Sequence, residues 1–409
     1  MTRALGRALK RFDMKKVDSL FGAERLFSDI PAKDTLADVQ RVALFAETFV
    51  PKIDGLSQTA YLTVRYLQET GREVLVFAPD TAPRQVGPTR VVPLPSLALP
   101  MYPEVRLALP MPSIKKHLDE FQPDIIHLFN PVWMSIRAGL YGNKRDIPVI
   151  ANYQTDVPSY LKYYKIPYLR APYHTLSRSF FNRCDLTLVP SKTMLAELED
   201  ERYEHLRLWA HGVDVERFNP EHRRDTWREK LLNGRDPDSL LCVYVGRLAK
   251  EKNIEQLVDI AKQPGIAVTI IGDGTVRKQL EKQFAETDAH FTGYLTGTDL
   301  SHAFASADVF TFTSVTETFG LVVEEASASG LPCVVMNGNG VSELVDHGED
   351  GYICNTRQEF IDAVLHLRDN PDLRKRMAVN ARQSAEKHTW LEAMKCLEEY
   401  YGSALPEKA

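Results

Sequence analysis

No stretch of this 409-residue chain approaches the ~20 consecutive apolar residues of a membrane span, so no spanning helix is expected. Cysteine is scarce: Cys184, Cys242, Cys333, Cys354 and Cys396 are odd in number, widely scattered and form no CxxC pair. Reduced thiols in a cytosolic protein are the simplest reading. Positive charge is not in excess, with 50 Lys and Arg against 55 Asp and Glu and a formal net charge of −5, so nucleic acid is not an expected partner. A GxGxxG dinucleotide fingerprint is missing. No acidic or His/Cys cluster argues for a metal. The basic start, MTRALGRALKRF, lacks an apolar h-region and a small-residue cleavage site, and is not read as a secretory signal. What remains is ordinary: 44% apolar and 26% charged residues, in a length that suggests two domains or more.

Residues 1 to about 40 precede the first strand-like run and are read as a basic extension. From Arg41 apolar runs alternate with helical patterns: RVALFA (41–46), a helix over 57–71, EVLVFAP (73–79), a Pro-rich loop to about Pro112, a helix over 114–121, DIIHLF (124–129), PVIANY (148–153) and LTLVPS (186–191). The pattern restarts after a hinge near Gly212–Arg224, with LLCVYVG (240–246), a helix from Asn253, AVTIIG (267–272), a helix from Gly274, VFTFT (309–313), a helix after Gly320 and PCVVM (332–336). Short apolar runs alternating with helices predict parallel sheets covered on both faces. The expected organisation is a first domain over 41–211, a second over 212–385 and a last helix over 386–405. Ligands in open α/β sheets bind beyond the carboxyl ends of strands, and every motif below falls at such an end.

Glu317-Thr-Phe-Gly-Leu-Val-Val-Glu-Glu325 follows the VFTFT strand and opens a helix near Phe319–Gly320. Glu317 then lies on the loop and Glu325 about two turns inside the helix. Exposed amides at a helix N-terminus favour a phosphate, and a neighbouring carboxylate can accept hydrogen bonds from sugar hydroxyls. Glu325 is expected to meet a ribose diol, Glu317 a sugar or its pyrophosphate; exposed carboxylates at a helix start, Glu324 above all, are the plain alternative. In Gly246-Arg-Leu-Ala-Lys-Glu-Lys252, a glycine ends a strand and Arg247 and Lys252 supply two cations to one loop, suited to developing charge on a diphosphate. Gly272-Asp-Gly274 ends another strand as a turn. Tyr294 and Leu295 close a short strand whose backbone can face a nucleobase. In the first domain Gly55 begins a helix and can admit a phosphate, while Gln154 and Asp156 are polar groups at a strand end.

Residues 159–183 combine Tyr160, Tyr163, Tyr164, Tyr168, Tyr173, Phe180 and Phe181 with Lys162, Lys165, Arg170, Arg178 and Arg183 and no acid. Aromatics interleaved with cations suit an anionic membrane interface; an ordinary helix with an aromatic core face is the alternative. The loop over 93–112 adds apolar residues for an acceptor groove. Leu5, Leu9 and Phe12 share a helical face among Arg3, Arg7, Lys10, Arg11, Lys15 and Lys16, which fits the same membrane surface or docking on the protein itself.

Taken together, GRLAKEK, GDG, FTG, ETFGLVVEEASASGLP and GVDVERF resemble the retaining GT-B glycosyltransferases of family 4 (group 1). ALFAETFVPKIDG, NYQTDVPSY, RLWAHGVD and VFTFTSVTETFG look most like the sulfoquinovosyldiacylglycerol synthases and related bacterial glycolipid α-mannosyltransferases. The resemblance implies two doubly wound Rossmann-like domains facing across a cleft. It implies that Arg247 and Lys252 hold the donor pyrophosphate and Glu325 the ribose. Glu317, Gly320 and Leu321 would meet the sugar–phosphate end, with Gly246, Gly272 and Gly274 nearby and Gly55 facing them. Many relatives carry histidine where Gln154 stands. Asp156 becomes a candidate to orient the acceptor or donor sugar. Catalysis is expected with neither cofactor nor metal, on a UDP- or GDP-linked sugar and a lipid acceptor, diacylglycerol first, at the inner face of the cell membrane. A soluble acceptor, or sugar-nucleotide binding without turnover, are the alternatives.

Overall fold

The computed structural model describes residues 13–28, 30, 38–99, 102–155, 168, 170–338 and 340–405. Two doubly wound parallel sheets form two lobes. The first contains β1 (Arg41–Ala46), β2 (Glu73–Pro79), β3 (Gln85–Val86), β4 (Thr89–Leu94), β7 (Ile125–Phe129), β8 (Val149–Asn152), β9 (Leu186–Val189) and β10 (Leu206–Leu208). Their order is β10-β9-β8-β7-β1-β2-β4-β3, parallel except for β3 against β4. Alternation decides the layers: Val42, Leu44 and Ala46 join one buried cluster and Ala43 and Phe45 the other, so both faces are covered.

The Pro-rich segment is not the expected loop. It carries β4 and a separate hairpin of β5 (Ser96–Leu99) and β6 (Tyr102–Ala108). Pro93 is tolerated because β3 pairs only with Thr89 and Arg90, leaving β4 an edge strand beyond them. Helices Trp133–Arg145 and Lys192–Asp200 and the edge strand β10 are among the further elements that escaped the sequence reading.

The second lobe contains β11 (Leu240–Val245), β12 (Ile266–Ile271), β13 (His290–Gly293), β14 (Val309–Phe312), β15 (Cys333–Met336) and β16 (Gly351–Cys354), in the order β13-β12-β11-β14-β15-β16. Counted from β11 this is the 3-2-1-4-5-6 winding of a dinucleotide fold, whose ligand crevice opens where the order reverses, between β11 and β14. The five cysteines are free thiols.

The last helix, Trp390–Ala404, packs on the first lobe. Trp390, Met394, Leu397 and Tyr401 are buried among β1 and β2 residues, and the Trp209 indole donates to the Ala393 carbonyl at 2.8 Å. Tyr401 Oη lies 2.8 Å from His127 Nδ1, whose Nε2 lies 2.8 Å from Asn152 Oδ1. The chain therefore crosses between lobes twice, side by side at the Val213–Thr389 bridge.

The N-terminal segment corrects a second expectation. Residues 13–28 are no appendage: Val17, Phe21 and Phe27 are buried in the first-lobe cluster. Asp18, fully buried, accepts from Tyr61 Oη at 2.8 Å and pairs with Arg65 Nε at 3.1 Å. The same segment reaches the second lobe, where Arg25 pairs with Asp214 and the Leu20 carbonyl accepts from Arg217. Its buried face docks on the protein, not on a membrane. Leu5, Leu9 and Phe12 lie outside the described residues.

Candidate active site

The chemistry-bearing loops of the second lobe meet at its switch point. Arg247 and Lys252 follow β11; Glu317 follows β14. The Lys252 ammonium donates to Glu317 Oε1, and Thr313 Oγ1 donates to the Lys252 carbonyl at 2.8 Å, tying the two loops together. Burial works to raise the Glu317 carboxyl, but Lys252, the Ser314 hydroxyl and Arg247 outweigh it and hold it below the usual carboxylate range. Arg247 Nη2 donates at 2.8 Å to Glu251 Oε1, on a fully buried side chain that the motif reading passed over. Each cation is thus aimed by an acid rather than left to sample rotamers.

Gly272 belongs to this packing. It has φ 144°, and a Cβ there would lie 1.9 Å from the Gly246 carbonyl oxygen, so only glycine lets the two strand ends touch. Gly274 meets Leu248 in the same way. These two glycines first of all pack one loop on the next. Tyr294 is exposed and donates from its hydroxyl to the Asp273 carbonyl at 3.0 Å, with Leu295 half-buried beside it.

Gly320, with φ 110°, is the N-cap of helix Leu321–Ala328. Glu325 is its fifth residue, so it stands little more than one turn in, not two. Burial pushes the Glu325 carboxyl up to about 7, against the pull of Arg217, with Asp214 adding to the rise. Glu324 is buried instead of exposed and lies 3.1 Å from His388 Nδ1, which ties this helix to the returning chain.

The first lobe closes directly onto this site. Leu321 packs against the first-lobe cluster, and a Cβ on Gly55 would lie 2.9 Å from Leu321 Cδ1, so the two residues approach closely across the lobes. Thr318 Oγ1 donates to the Gln154 carbonyl at 2.9 Å. Glu343 of the second lobe accepts from the Lys192 amide at 2.8 Å and from the Thr193 amide, at the start of helix Lys192–Asp200. A carboxylate from one lobe thereby caps a helix of the other.

Gln154, expected as a polar group at a strand end, is buried in the lobe junction, its Nε2 donating at 3.0 Å to His211 Nε2. Burial pushes His211 down to about 4, so the ring is neutral and can accept. His211 lies between Trp390 and Phe319. Glu47, one residue past β1, was also passed over. It is buried, its Oε1 accepts from the Val132 amide at 3.3 Å, and burial lifts it to about 7 against further backbone hydrogen bonds at Met134 and Ser135. An acid directly after an apolar strand was the signal available.

Asp156, Tyr160, Lys162, Tyr163, Tyr164 and Lys165 lie outside the described residues. Arg170 opens helix Arg170–Phe181. Phe181 is buried with Tyr153 and Tyr203, so part of the aromatic run is core.

Two family models match the chain: Glycosyltransferase Family 4 over residues 53–217 and Glycosyl transferases group 1 over residues 224–384. The chain is 35% identical to the sulfoquinovosyl transferase SQD2 of Arabidopsis thaliana, over 92% of this chain and 77% of that protein. It is 35% identical to a GDP-mannose-dependent alpha-mannosyltransferase of Mycobacterium tuberculosis, over 86% of this chain and 93% of that one. An alpha-monoglucosyldiacylglycerol synthase of Acholeplasma laidlawii is 24% identical over 85% of this chain and 93% of its own length. Among solved structures, Anabaena HepE in complex with UDP and glucose superposes with TM-score 0.70 at 17% identity, covering 89% of this chain and all of that one. One matched region falls in each lobe, and the chain belongs to the group 1, family 4 glycosyltransferases and is a GT-B hexosyltransferase.

Proposed function

We propose that this enzyme moves a hexose-type sugar from a nucleoside diphosphate to a membrane lipid, with retention of anomeric configuration and without a metal. One observation carries the reading: Arg247, Lys252 and Glu317 converge at the switch point of the second lobe, beside the N-terminus of helix Leu321–Ala328, with the first lobe against them. Breaking the sugar C1–O bond sends its electron pair to the β-phosphate. Arg247, Lys252 and the helix amides would stabilise that charge in place of a divalent cation. The acceptor hydroxyl then bonds to C1 on the same face, and its proton passes to the leaving phosphate oxygen. Lobe contacts at Gly55, Thr318 and Glu343 would keep water from the donor while it is held. Relatives named as glycolipid synthases and mannosyltransferases support the lipid acceptor and leave UDP-sulfoquinovose, GDP-mannose and UDP-glucose as donors to compare. With no helix among the described residues long and apolar enough to cross a membrane, the enzyme would meet its acceptor as a peripheral protein.

The test is a panel of those three donors with diacylglycerol and glycosyl-diacylglycerol in chelator-treated buffer, the product anomer read by NMR. Lipid glycoside of the donor's own configuration is expected. Transfer only to soluble sugars, inversion, or loss of turnover on chelation would each remove the matching part of the proposal.

Glu325 supplies a pH test. As the carboxylate it can accept two ribose hydroxyls; protonated, it loses acceptor capacity. With its pKa raised to about 7, the competent form dominates above that pH and is lost as pH falls through it. Donor KM is expected to rise about tenfold per unit below pH 7, and Glu325→Gln to give a raised, pH-independent KM. A KM in Glu325→Gln equal to wild type would end the ribose assignment.

A further inference from the structure

Helix Trp133–Arg145 turns an apolar stripe to solvent. Trp133 is 43% exposed, Ile136 47% and Leu140 57%, at i, i+3 and i+7 on one face. Arg137 and Lys144 fall on the same side, both exposed. The opposite face is spent on the core, through Met134, Ser135, Ala138, Gly139 and Gly142. Between this helix and Pro110, at the foot of the β5–β6 hairpin, lies a shallow concavity of about 830 Å³.

Helix Arg170–Phe181 packs against the buried side of this helix, Phe180 lying 3.2 Å from where a Cβ on Gly139 would stand. One turn earlier Leu176 is 74% exposed, and Tyr168 ahead of that helix is exposed as well. A bulky apolar set on two adjacent helices of one monomer calls for a partner.

Charge selects which one. The chain as a whole carries −5, yet Lys115, Arg137, Lys144 and Arg145 border this concavity. Asp119 answers two of them, holding Lys115 and, at 3.0 Å, Arg145. Arg137 and Lys144 remain beside the stripe, a pair of cations flanking Trp and aliphatic side chains, the pattern of a surface that enters an anionic headgroup layer. Location agrees: the N-cap of this helix is held by Glu47, one residue past the carboxyl end of β1, the side on which open α/β sheets bind ligands.

We infer that the exposed face of helix Trp133–Arg145 docks this enzyme on an anionic bilayer, with its acceptor cleft at the membrane surface. This deepens the lipid-acceptor reading and rests on it for its purpose, although bilayer docking is measurable without any acceptor. Full-length protein is sedimented with sucrose-loaded vesicles of phosphatidylcholine alone or mixed with phosphatidylglycerol. Binding to the mixed vesicles is expected, with a blue shift of tryptophan emission from Trp133. The double variant Ile136→Glu/Leu140→Glu should stay in the supernatant. Arg137→Gln and Lys144→Gln should each weaken binding about fivefold and flatten its salt dependence. Both sets should keep wild-type turnover on a short-chain acceptor in detergent, which shows that they fold. Wild-type protein that ignores anionic vesicles, or a double variant that binds them equally, overturns the inference. So does a wild-type dimer by light scattering that the double variant abolishes, since a second copy would then be the occupant. Vesicle binding through this helix by an enzyme that glycosylates only soluble acceptors would instead overturn the proposed function and leave the docking surface standing.

Discussion

Lys252→Ala is expected to lower turnover by about 10²–10³-fold, the usual loss when one preorganised donor to a developing oxyanion is removed. Lys252 is buried, and its ammonium is directed by Glu317 across the gap between β11 and β14. A cation placed in this way does not have to reorganise as the leaving phosphate gains charge. The variant also strands Glu317, whose carboxyl Lys252 helps to keep below its usual range despite burial. Some of the loss could therefore come from a disturbed loop. The double variant Lys252→Ala/Glu317→Gln separates the two effects, because it removes the uncompensated charge along with the cation. If stability returns in the double variant while turnover stays low, the ammonium acts on the reaction. Turnover near wild type in either variant would contradict the role.

Asp18→Ala should cost the first lobe about 3–5 kcal/mol, the range found when one partner of a buried ion pair is deleted. Asp18 is fully buried, and it takes both the Tyr61 hydroxyl and Arg65 Nε. Removing it leaves both donors facing a small cavity. Arg65 also donates to Gln68 Oε1 at 2.6 Å and Glu69 Oε1 at 3.2 Å, which favours the lower end of the range. The expected observation is an earlier urea transition in tryptophan fluorescence, since Trp209 and Trp390 are both buried in this cluster. Asp18→Asn, which can still accept from Tyr61, should lose less. A change under about 1 kcal/mol would mean that residues 13–28 are the mere extension expected from their position ahead of the first strand.

Comparison of particular elements shows where local reading succeeds. RVALFA and EVLVFAP became strands with the expected bounds, because a buried parallel strand announces itself as an unbroken apolar run. Helix Trp133–Arg145 was missed for a definite reason. No side chain of its own caps it; Glu47, 85 residues before the N-cap Val132, accepts from the Val132 amide. Two inward glycines and an apolar outer stripe also blur its helical period. The hairpin was hidden by prolines that an edge can carry and a central strand cannot. At the site the signal was stronger. Acids and cations near glycines at strand ends singled out Arg247, Lys252, Glu317 and Glu325 as candidates, and the structure brings Lys252 to Glu317. The surroundings of Gln154 were not legible, because they are made by His211 and Thr318, far away in the chain.

By itself the sequence determined the repeated strand–helix alternation, hence two parallel sheets, and which strand-end loops carry the candidate donor-binding residues. These follow from periodicity and from residue types within a few positions of each other, where hydrophobic burial and helix-end dipoles act locally. Only the tertiary structure decided that Lys252 faces Glu317, that Glu325 shares its surroundings with Arg217 and Asp214, that Gly55 meets Leu321, and that residues 13–28 span both lobes. Coulomb interaction and desolvation depend on distance through space, and the winding of the two sheets brings together groups that no sequence interval relates.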